Sequence, residues 1–597
     1  MAIKDDIILE NKALELINLG KVEEAEELYR KLINAGSKNH VVYGNLAALC
    51  GLSGKRKEMI KLLNIALKIN PSYSDAHTNL GLAFKDQRNF KASVKSFRQA
   101  IKFDPNNSNA YFNLGTLFEE QGDTKEAIKL YRKAIKANPR NGAPYNNLGS
   151  IFKNQGNLKD AVNYFQQAIK INSRHGKAYC NLGTAYMCQE KFNDAIKAYK
   201  KSININPNFY QAYNNLGIAF QASGDLEEAI DSFKKALKLN QEFHDAHNNI
   251  GTAYHQIGDL KNAISSFQQA IKLDPNYTSS YWNLSLSELL NNNYNKGWID
   301  YEWRLKTNDS SPPHAQPKIP KWTGRVLPKD EKLLVVSEQG LGDTIQFMRY
   351  IPYLRNKGID VSFCAQEKLH DLIRISGIAP NPLTKDQANE ITEGEWIPLL
   401  SLPGYLGVTP ENPVVSKPYI RSSNDLILKW KSILSKEKRP IIGINWQGNK
   451  EIEKIILKGR SLPLEEFSCI ANNSKVNFLS LQKGFGSEQL DGCSFRNNFV
   501  NCQKQIDSVW NFLEIAAIMI NCDLIITSDT VVCHLAGGLN KKTFLLLKEV
   551  PEWRWGMRNS STFWYPSMKL FRQKGRDNWN ELMEIVDQEI KKEFINS

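Results

Sequence analysis

The stretch "YNNLGIAFQASGDLEEAIDSFKKALKLN", residues 213–240, decides the fold of the first half of this chain. Its Asn-Leu-Gly tripeptide, or a near variant, recurs every 34 residues, and the later positions of the stretch recur in the same register. The recurring asparagines are Asn45, Asn79, Asn113, Asn147, Asn181, Asn215, Asn249 and Asn283. Copies at one constant spacing indicate an array in which each repeat packs against its neighbours.

A period of 34 residues is that of the tetratricopeptide repeat, a pair of helices. Small residues recur where the two helices must approach closely, at Gly81, Gly115, Gly149, Gly183, Gly217 and Gly251 in the first helix and at Ala127, Ala161, Ala195, Ala229 and Ala263 in the second. Large rings recur in the same register at Phe97, Tyr131, Phe165, Tyr199, Phe233 and Phe267, and we expect them to fill the space between repeats.

Prolines predict where the second helix of a repeat ends, because proline lacks an amide and disfavours helix in the residue before it. They stand at Pro71, Pro105, Pro139, Pro207 and Pro275. An earlier unit, with Ala13, Ala25 and Tyr29 in register, brings the expected count to about nine. The sequence therefore predicts an α-solenoid, a tetratricopeptide superhelix, over residues 1–305.

The recurring asparagine predicts a ladder of amides along the first helices. Leu80 and Gly81 should face the core, so Asn79 lies about 100° away, beside it. A carboxamide both donates and accepts, so the ladder could hold the backbone of an extended protein or peptide acceptor on the concave surface. The predicted contacts are Asn79, Asn113, Asn147, Asn181, Asn215, Asn249 and Asn283. Each amide could instead tie one repeat to the next, which also explains strict register.

The 34-residue pattern stops before a proline-rich segment, which we interpret as a linker over residues 306–330. Trp298, Tyr301, Trp303 and Trp322 are expected to pack the end of the array against the second half of the chain. From residue 331, short β-branched runs alternate with helical stretches in two consecutive series. The sequence therefore predicts two doubly wound α/β domains, residues 331–425 and 426–597, with ligands at the carboxyl ends of their strands.

The first series contains the glycine turn "LLVVSEQGLGDTIQF", residues 333–347. Gly340 and Gly342 allow a tight turn, and the amides of the next helix favour a polar or anionic group. Neither the full GxGxxG pattern nor a phosphate-loop lysine is present. Asp343 is either a carboxylate that caps the helix or a general base.

The second series contains "DLIITSDTVVCHLAGG", in which a strand ends near Asp529 and a helix begins. Thr530 and His534 are four residues apart and share a helix face. With the free amides of the helix, these groups could stabilise a departing diphosphate without a metal. Asp529 could instead cap the helix, and His534 could pack under the sheet.

Several stretches of the second half, including "SEQGLGDTIQFMRYIPYL", "GINWQGN", "SLQKG" and "PEWRWGMRNSSTFWYPSMKLFRQ", resemble the heptosyltransferase-like glycosyltransferases of family nine. This resemblance implies a GT-B fold, two Rossmann-like domains around a nucleotide-sugar site, and inverting, metal-independent transfer. The array is similar to that of the O-linked N-acetylglucosamine transferases, whose matching asparagines hold the acceptor polypeptide.

Carried over by position, Asp343 matches the candidate base of the family, and Asp529, Thr530 and His534 match its donor-phosphate motif. The resemblance also places donor contacts at Asn445, Trp446, Gln447, Gln482 and Lys483. The donor is then a nucleotide diphosphate sugar, and no cofactor or metal is implied. However, Lys450 and Ile452 stand where the family shows a proline and a histidine. The alternative is therefore a protein-binding scaffold with a degenerate transferase domain.

Charge and composition restrict the other function classes. Residues 1–330 carry 44 Lys+Arg against 32 Asp+Glu, a net +12, and the rest of the chain carries 33 against 31, a net +2. The basic half lacks interleaved aromatic residues on its predicted binding face, which argues against nucleic-acid binding. No export signal or membrane span is visible, and the nine cysteines are scattered, so we expect a cytoplasmic protein.

Overall fold

The computed structural model describes residues 2–307, 311–327, 331–438, 440–449, 459–473, 475–576 and 578–594. The chain divides into two compact units, residues 1–241 and residues 242–597. The division falls inside the repeat array, so the last repeats belong to the same unit as the α/β part. The loop that departs from the family pattern, with Lys450 and Ile452, lies outside the described residues.

The first unit consists of helix pairs. Their helices are α1 Ala2–Asn18, α2 Val22–Asn34, α3 His40–Leu52, α4 Arg56–Ile69, α5 Ser74–Asp86, α6 Phe90–Phe103, α7 Ser108–Glu120, α8 Thr124–Ala137, α9 Gly142–Asn154, α10 Leu158–Ile171, α11 Gly176–Cys188, α12 Phe192–Ile205, α13 Tyr210–Ser223 and α14 Leu226–Leu239. Two further pairs in the second unit, α15 His244–Gln256, α16 Leu260–Leu273, α17 Thr278–Leu290 and α18 Tyr294–Tyr301, continue the pattern. Residues 2–307 thus contain the expected nine pairs.

The recurring glycines allow the two helices of a repeat to pack closely. A Cβ atom added at Gly217 would lie 2.6 Å from the ring of Phe233, and one at Gly149 would lie 2.6 Å from Phe165. Each ring therefore covers the glycine of its own repeat. Phe97 also packs with Leu114 of the next repeat, so the rings fill the space within and between repeats.

The second helices end where the prolines predict. The residue before each proline leaves the helical region, as at Asn70 (φ −133°, ψ 96°) and Asp274 (φ −132°, ψ 97°). The proline confines the residue before it to extended conformations. This prediction is confirmed.

The end of the array shares a core with the α/β part. Trp298, Tyr301 and Trp322 are buried in one hydrophobic cluster with residues of both sheets. The indole Nε1 of Trp298 donates to the Val408 carbonyl (2.8 Å), whereas Trp303 stacks on Tyr281 with ring centroids 3.9 Å apart. The expected packing is confirmed for Trp298, Tyr301 and Trp322, whereas Trp303 packs within the array.

Two parallel sheets make up the centre of the α/β part. The first has the order β2-β1-β3, and the second has the order β5-β4-β6-β7-β8. The strands are β1 Lys332–Val336, β2 Asp360–Cys364, β3 Glu395–Pro398, β4 Ile441–Asn445, β5 Asn477–Ser480, β6 Leu524–Ser528, β7 Thr543–Leu547 and β8 Met568–Arg572. The second order is a doubly wound one with its switch point between β4 and β6. The series predicted from sequence contained these strands except β8.

The helices of the α/β part are α19 Leu341–Phe347, α20 Tyr350–Asn356, α21 His370–Ile375, α22 Lys385–Asn389, α23 Leu402–Tyr405, α24 Asn424–Leu434, α25 Ser468–Asn473, α26 Gln503–Asp507, α27 Phe512–Ile520, α28 Val531–Gly538 and α29 Trp579–Phe594. The helical segment "TIQFMRYIPYLRNKG" is divided between α19 and α20, because Pro352 lacks the amide that would continue the first helix.

Alternate residues of the strands enter different cores. In β6, Ile525 joins the cluster that also contains the end of the array, whereas Leu524 and Ile526 join a second cluster on the other face. Residues at spacing two share a face, so the second sheet is covered on both sides. Among the described residues, no helix has the length and apolar character needed to cross a membrane.

Candidate active site at the carboxyl ends of the two sheets

The turn after β1 is tightly organised. Gln339 has a positive φ of 58°, and Gly340 immediately precedes α19. The Asp343 carboxylate accepts a hydrogen bond from the Gly340 amide (2.9 Å, Oδ2). Asp343 therefore caps the start of α19, and this contact occupies one of its two carboxylate oxygens.

The helix after β6 carries His534 in its first turn. This imidazole is 5% exposed, its Nδ1 lies 3.0 Å from the Tyr565 hydroxyl, and its ring stacks on Trp555. Thr530 precedes the helix, and no side chain caps its first turn. The alternative in which Asp529 caps this helix is therefore not what the structure contains.

The structure brings these two segments together. A Cβ atom added at Gly342 would lie 2.9 Å from Cδ2 of His534, so only glycine fits at this point of the turn. Asp343 forms an ion pair with Arg554, which lies after β7. The residues predicted to be catalytic, Asp343 and His534, thus border one site where both sheets end.

Arg554 connects the groups of this site. It lies in the 3₁₀ turn Trp553–Trp555 and is 8% exposed. Its guanidinium donates to Gln346 Oε1 (2.6 Å, Nε) and also binds Asp343 and Glu552. Sequence reasoning assigned no role to Arg554 or Glu552. The sequence did contain a signal for them: Glu552 and Arg554 are charged residues among the apolar residues of "PEWRWG", shortly after a buried strand.

Burial sets the protonation of the site. It lowers the pKa of His534 well below its usual value, and the nearby Arg554 adds to this effect. The ring is therefore neutral at pH 7, and positive charge comes from Arg554 instead. Burial also raises the pKa of Glu552 to about 7, although Arg554 opposes the shift. Arg460, Asp529 and Lys548 line a small pocket next to Glu552.

The predicted donor contacts at the switch point form a closed amide network. Asn445 donates to Gln482 Oε1 (2.7 Å, Nδ2) and accepts from the Thr530 hydroxyl (2.7 Å). Gln482 donates to the carbonyls of Gln447 (3.0 Å) and Phe485 (2.7 Å). These side chains hold the ends of β4, β5 and β6 together, which is a structural role.

The remaining predicted donor contacts, Trp446, Gln447 and Lys483, differ in the partners that their side chains have. Trp446 is fully buried in the second cluster, so its ring packs in the core. Gln447 Oε1 is buried and has no hydrogen-bond partner among the described residues. Lys483 donates to the Ile506 carbonyl (2.6 Å), and burial lowers its pKa. Their contact with a nucleotide sugar stays a prediction.

One cluster has the donor atoms of a metal site. Asp529, Cys533 and His534 each offer an atom, and these atoms lie within 4.8 Å of one another. Arg554 and Arg460 act electrostatically on His534, and this positive field disfavours a divalent cation. The expectation that the site needs no metal stays a prediction.

The asparagine ladder is partly occupied by contacts between repeats. Nδ2 of Asn147 donates to the Tyr131 hydroxyl (3.0 Å), and Nδ2 of Asn181 donates to Asn146 (3.0 Å). In the second unit, Nδ2 of Asn283 donates to Asn248 (3.1 Å). Each partner lies in the preceding repeat. The tie between repeats is thus present, and these bonds do not use the carboxamide oxygens.

Comparison with known proteins identifies the repeats. Models of the tetratricopeptide repeat match residues 8–35, 78–142, 143–175, 176–209 and 209–276. Protein FlbA of Caulobacter vibrioides is 23% identical over 320 residues, 48% of this chain and 51% of FlbA. The chain therefore spans about half the length of this curated relative. The N-terminal half of the chain is a tetratricopeptide array.

Similar solved structures cover parts of the chain. The Cut9–Hcn1 hetero-tetramer of APC/C is 19% identical, with 47% of this chain and 55% of that chain covered and a TM-score of 0.39. PilF of Pseudomonas aeruginosa is 20% identical, with 35% and 94% covered and a TM-score of 0.32. MamA is 28% identical, with 28% and 92% covered and a TM-score of 0.26.

Proposed function

We propose that residues 331–597 form a GT-B glycosyltransferase that transfers a sugar from a nucleotide diphosphate sugar to an acceptor hydroxyl. The repeat array would hold the acceptor, a protein or peptide. The observation that carries this proposal is the meeting of the Asp343 turn and the His534 helix at the carboxyl ends of two parallel sheets. Ligands of such sheets bind at this edge.

In the proposed reaction, Asp343 takes the proton of the acceptor hydroxyl, whose oxygen attacks the anomeric carbon. The bond from that carbon to the diphosphate breaks, and its electron pair stays on the diphosphate oxygen. Arg554 would stabilise this charge together with the amides of α28. A bound diphosphate would compete with Asp343 for Arg554, which releases the carboxylate to act as a base. Neutral His534 contributes a hydrogen bond and no charge.

The experiment is calorimetry with a panel of nucleotides and nucleotide sugars, and then turnover with the sugar that binds. Asp343→Asn should lower turnover by about 10² to 10⁴, the usual cost of losing a general base. It should not weaken donor binding, because the lost carboxylate no longer competes for Arg554. Asp371→Asn, an exposed carboxylate paired with Arg374, is the matched control. Unchanged turnover in Asp343→Asn would remove this residue from the mechanism.

The second candidate is a protein-binding scaffold whose transferase part no longer turns over. The amide network favours it, since Asn445 and Gln482 use their polar groups on each other and on Thr530. A scaffold should bind no nucleotide in the same calorimetric panel. One bound nucleotide sugar that is consumed would exclude this alternative.

A further inference from the structure

The two nitrogens of the His534 ring have different surroundings. Nδ1 lies 3.0 Å from the hydroxyl of Tyr565, a residue that is 1% exposed and lies between β7 and β8. Nε2 has no hydrogen-bond partner in the described part of the chain, and it would lie 3.6 Å from a Cβ atom at Gly342, in the turn that carries Asp343. A neutral imidazole carries a single ring proton, so its effect on the site depends on which nitrogen holds it.

We propose that the Tyr565 hydroxyl donates a hydrogen bond to Nδ1 and thereby keeps the ring proton of His534 on Nε2, where it donates to an oxygen of the departing diphosphate. This inference rests on the proposed glycosyltransferase function and adds Tyr565 to it as a positioning residue. The proton stays on Nε2 throughout, so no proton is transferred. In the opposite arrangement, Nε2 would present a lone pair to the leaving oxygen and repel it.

The burial of Tyr565 favours this direction of the bond. Burial raises the pKa of Tyr565 well above its usual value, so the phenol keeps its proton at pH 7. If the imidazole donated instead, the phenol proton would need another acceptor, because buried donors are nearly always paired. The nearby Tyr419 hydroxyl donates to the Ile345 carbonyl (2.9 Å) and accepts from Arg349 (3.1 Å). Its oxygen is already in use, and an imidazole nitrogen is the stronger acceptor.

Two contacts hold Tyr565 in place. Nη1 of Arg349 donates to the carbonyl of Trp564, the residue before Tyr565 (2.7 Å), and the guanidinium lies 4.6 Å from the centre of the Tyr565 ring. A Cβ atom at Gly537 would overlap this ring, so the ring packs directly on α28, the helix that carries His534. The hydroxyl is therefore fixed relative to Nδ1.

The position of the ring proton matters because the ring does not gain a second proton at pH 7. Burial lowers the pKa of His534 well below its usual value, and the charges of Arg554 and Arg349 add to this effect. The imidazole therefore acts through the one proton that it carries. A fixed N–H donor stabilises the charge that develops on a leaving oxygen, and losing such a donor typically costs about 10² to 10³ in rate.

The first measurement needs no substrate. The full chain contains nine histidines, and in a chain labelled with ¹⁵N-histidine the variant His534→Gln identifies the His534 resonances by their loss. Protonated and unprotonated ring nitrogens have widely separated ¹⁵N shifts. We expect Nε2 to be protonated and Nδ1 to be an unprotonated acceptor. A proton on Nδ1, or on both nitrogens, would overturn the proposal, and this result comes from the native chain alone.

Two matched variants test the role of the hydroxyl. Tyr565→Phe should move the Nδ1 resonance, because its hydrogen bond is lost. Tyr350→Phe is the control, since the Tyr350 hydroxyl is also buried but has no hydrogen-bond partner among the described residues; it should leave both His534 resonances in place. Circular dichroism confirms that both variants fold. Unchanged His534 resonances in Tyr565→Phe would contradict the assignment.

The second measurement separates this inference from the proposed function. Among ADP, GDP and UDP, the nucleoside diphosphate that binds should shift the Nε2 resonance more than the Nδ1 resonance. With the sugar that is consumed, Tyr565→Phe should lower kcat about tenfold, the equivalent of one neutral hydrogen bond, while the Kd of the donor stays nearly unchanged. Tyr350→Phe should keep the native kcat.

The two ideas fail in different ways. If no nucleoside diphosphate binds and no nucleotide sugar is consumed, the proposed function is wrong, and the role toward the diphosphate is lost with it even where the ring proton is on Nε2. If the native chain consumes a nucleotide sugar but Tyr565→Phe keeps the native kcat, or if a bound diphosphate leaves Nε2 unmoved, the proposed function stands and the role of Tyr565 is wrong.

Discussion

The buried pair Arg304–Glu338 connects the end of the repeat array to the turn that carries Asp343. Both side chains are fully buried. The guanidinium donates to Glu338 through Nη2 (2.7 Å) and Nε (3.1 Å), and its other N–H groups reach Ser401, Glu302 and the Tyr301 carbonyl. All five donors are therefore used. We predict that Glu338→Gln destabilises the second unit.

The size of the effect depends on the partners that remain. Removing one member of a buried ion pair typically costs about 3 to 5 kcal/mol, because the other charge stays buried without compensation. In Glu338→Gln, Arg304 keeps Glu302, so we expect about 3 kcal/mol. In Arg304→Met, the buried Glu338 carboxylate loses its cation and keeps a neutral donor, the Leu400 amide (3.0 Å). A neutral donor compensates a buried charge less than an ion pair does, so we expect the upper end of the range. The double variant Arg304→Met/Glu338→Leu should cost less than the two single variants added together.

Tryptophan fluorescence isolates the unit in question. All twelve tryptophans lie between residues 282 and 579, so their emission reports on the second unit, whereas circular dichroism also reports on the first. Urea unfolding monitored by both signals separates the two transitions, which a multi-unit chain requires. Single variants that cost less than about 1 kcal/mol, or costs that add fully in the double variant, would refute the reasoning.

Four further predictions concern other parts of the chain. Donor affinity should rise as the pH falls through about 7, because protonated Glu552 no longer competes for Arg554; calorimetry should show this step, and Glu552→Gln should abolish it. The Glu552 carboxyl should also lower the free energy of unfolding of the second unit as the pH rises from 4.5 to about 7, because the folded protein holds this proton more tightly than the unfolded chain does. Replacing Asn147, Asn181, Asn215 and Asn249 by Ala should raise the KM of an extended acceptor steeply and leave donor hydrolysis unchanged; unfolding of this variant, by circular dichroism, would make the ladder structural. Gly217→Ala should destabilise the first unit by about 1 to 3 kcal/mol in thermal unfolding, since its Cβ would overlap Phe233, and a neutral result would contradict the packing argument.

The sequence predicted the repeats well because their signals are local and periodic. The glycine and the ring that covers it are 16 residues apart at Gly217 and Phe233, and each proline confines the residue before it. The strands were also predictable, since buried parallel strands are continuous apolar runs. β8 was missed because Lys569 and Arg572 interrupt its run "MKLFR".

The site was only half predictable, because its two halves are far apart in the chain. Asp343 and His534 could be selected from turn and helix signals, but the ion pair of Asp343 with Arg554 joins residues 211 positions apart. No periodicity encodes such a contact. The neutrality of His534 depends equally on tertiary burial, so the sequence left open the charge that the imidazole carries.

The packing of the last repeats places the start of the second compact unit at residue 242, inside the repeat array. Sequence patterns placed the boundary after residue 305, where the 34-residue period ends. However, Trp298 and Tyr301 are buried in the same cluster as residues of β1 and β6, and Arg304 neutralises Glu338 in the glycine turn. A pocket beside the site also takes Asn292 and Tyr294 from the last repeat. A chain that began at residue 306 would lose these aromatic rings, a buried cation and two residues of the pocket wall, so the repeats from residue 242 onward fold as part of the same unit as the two sheets.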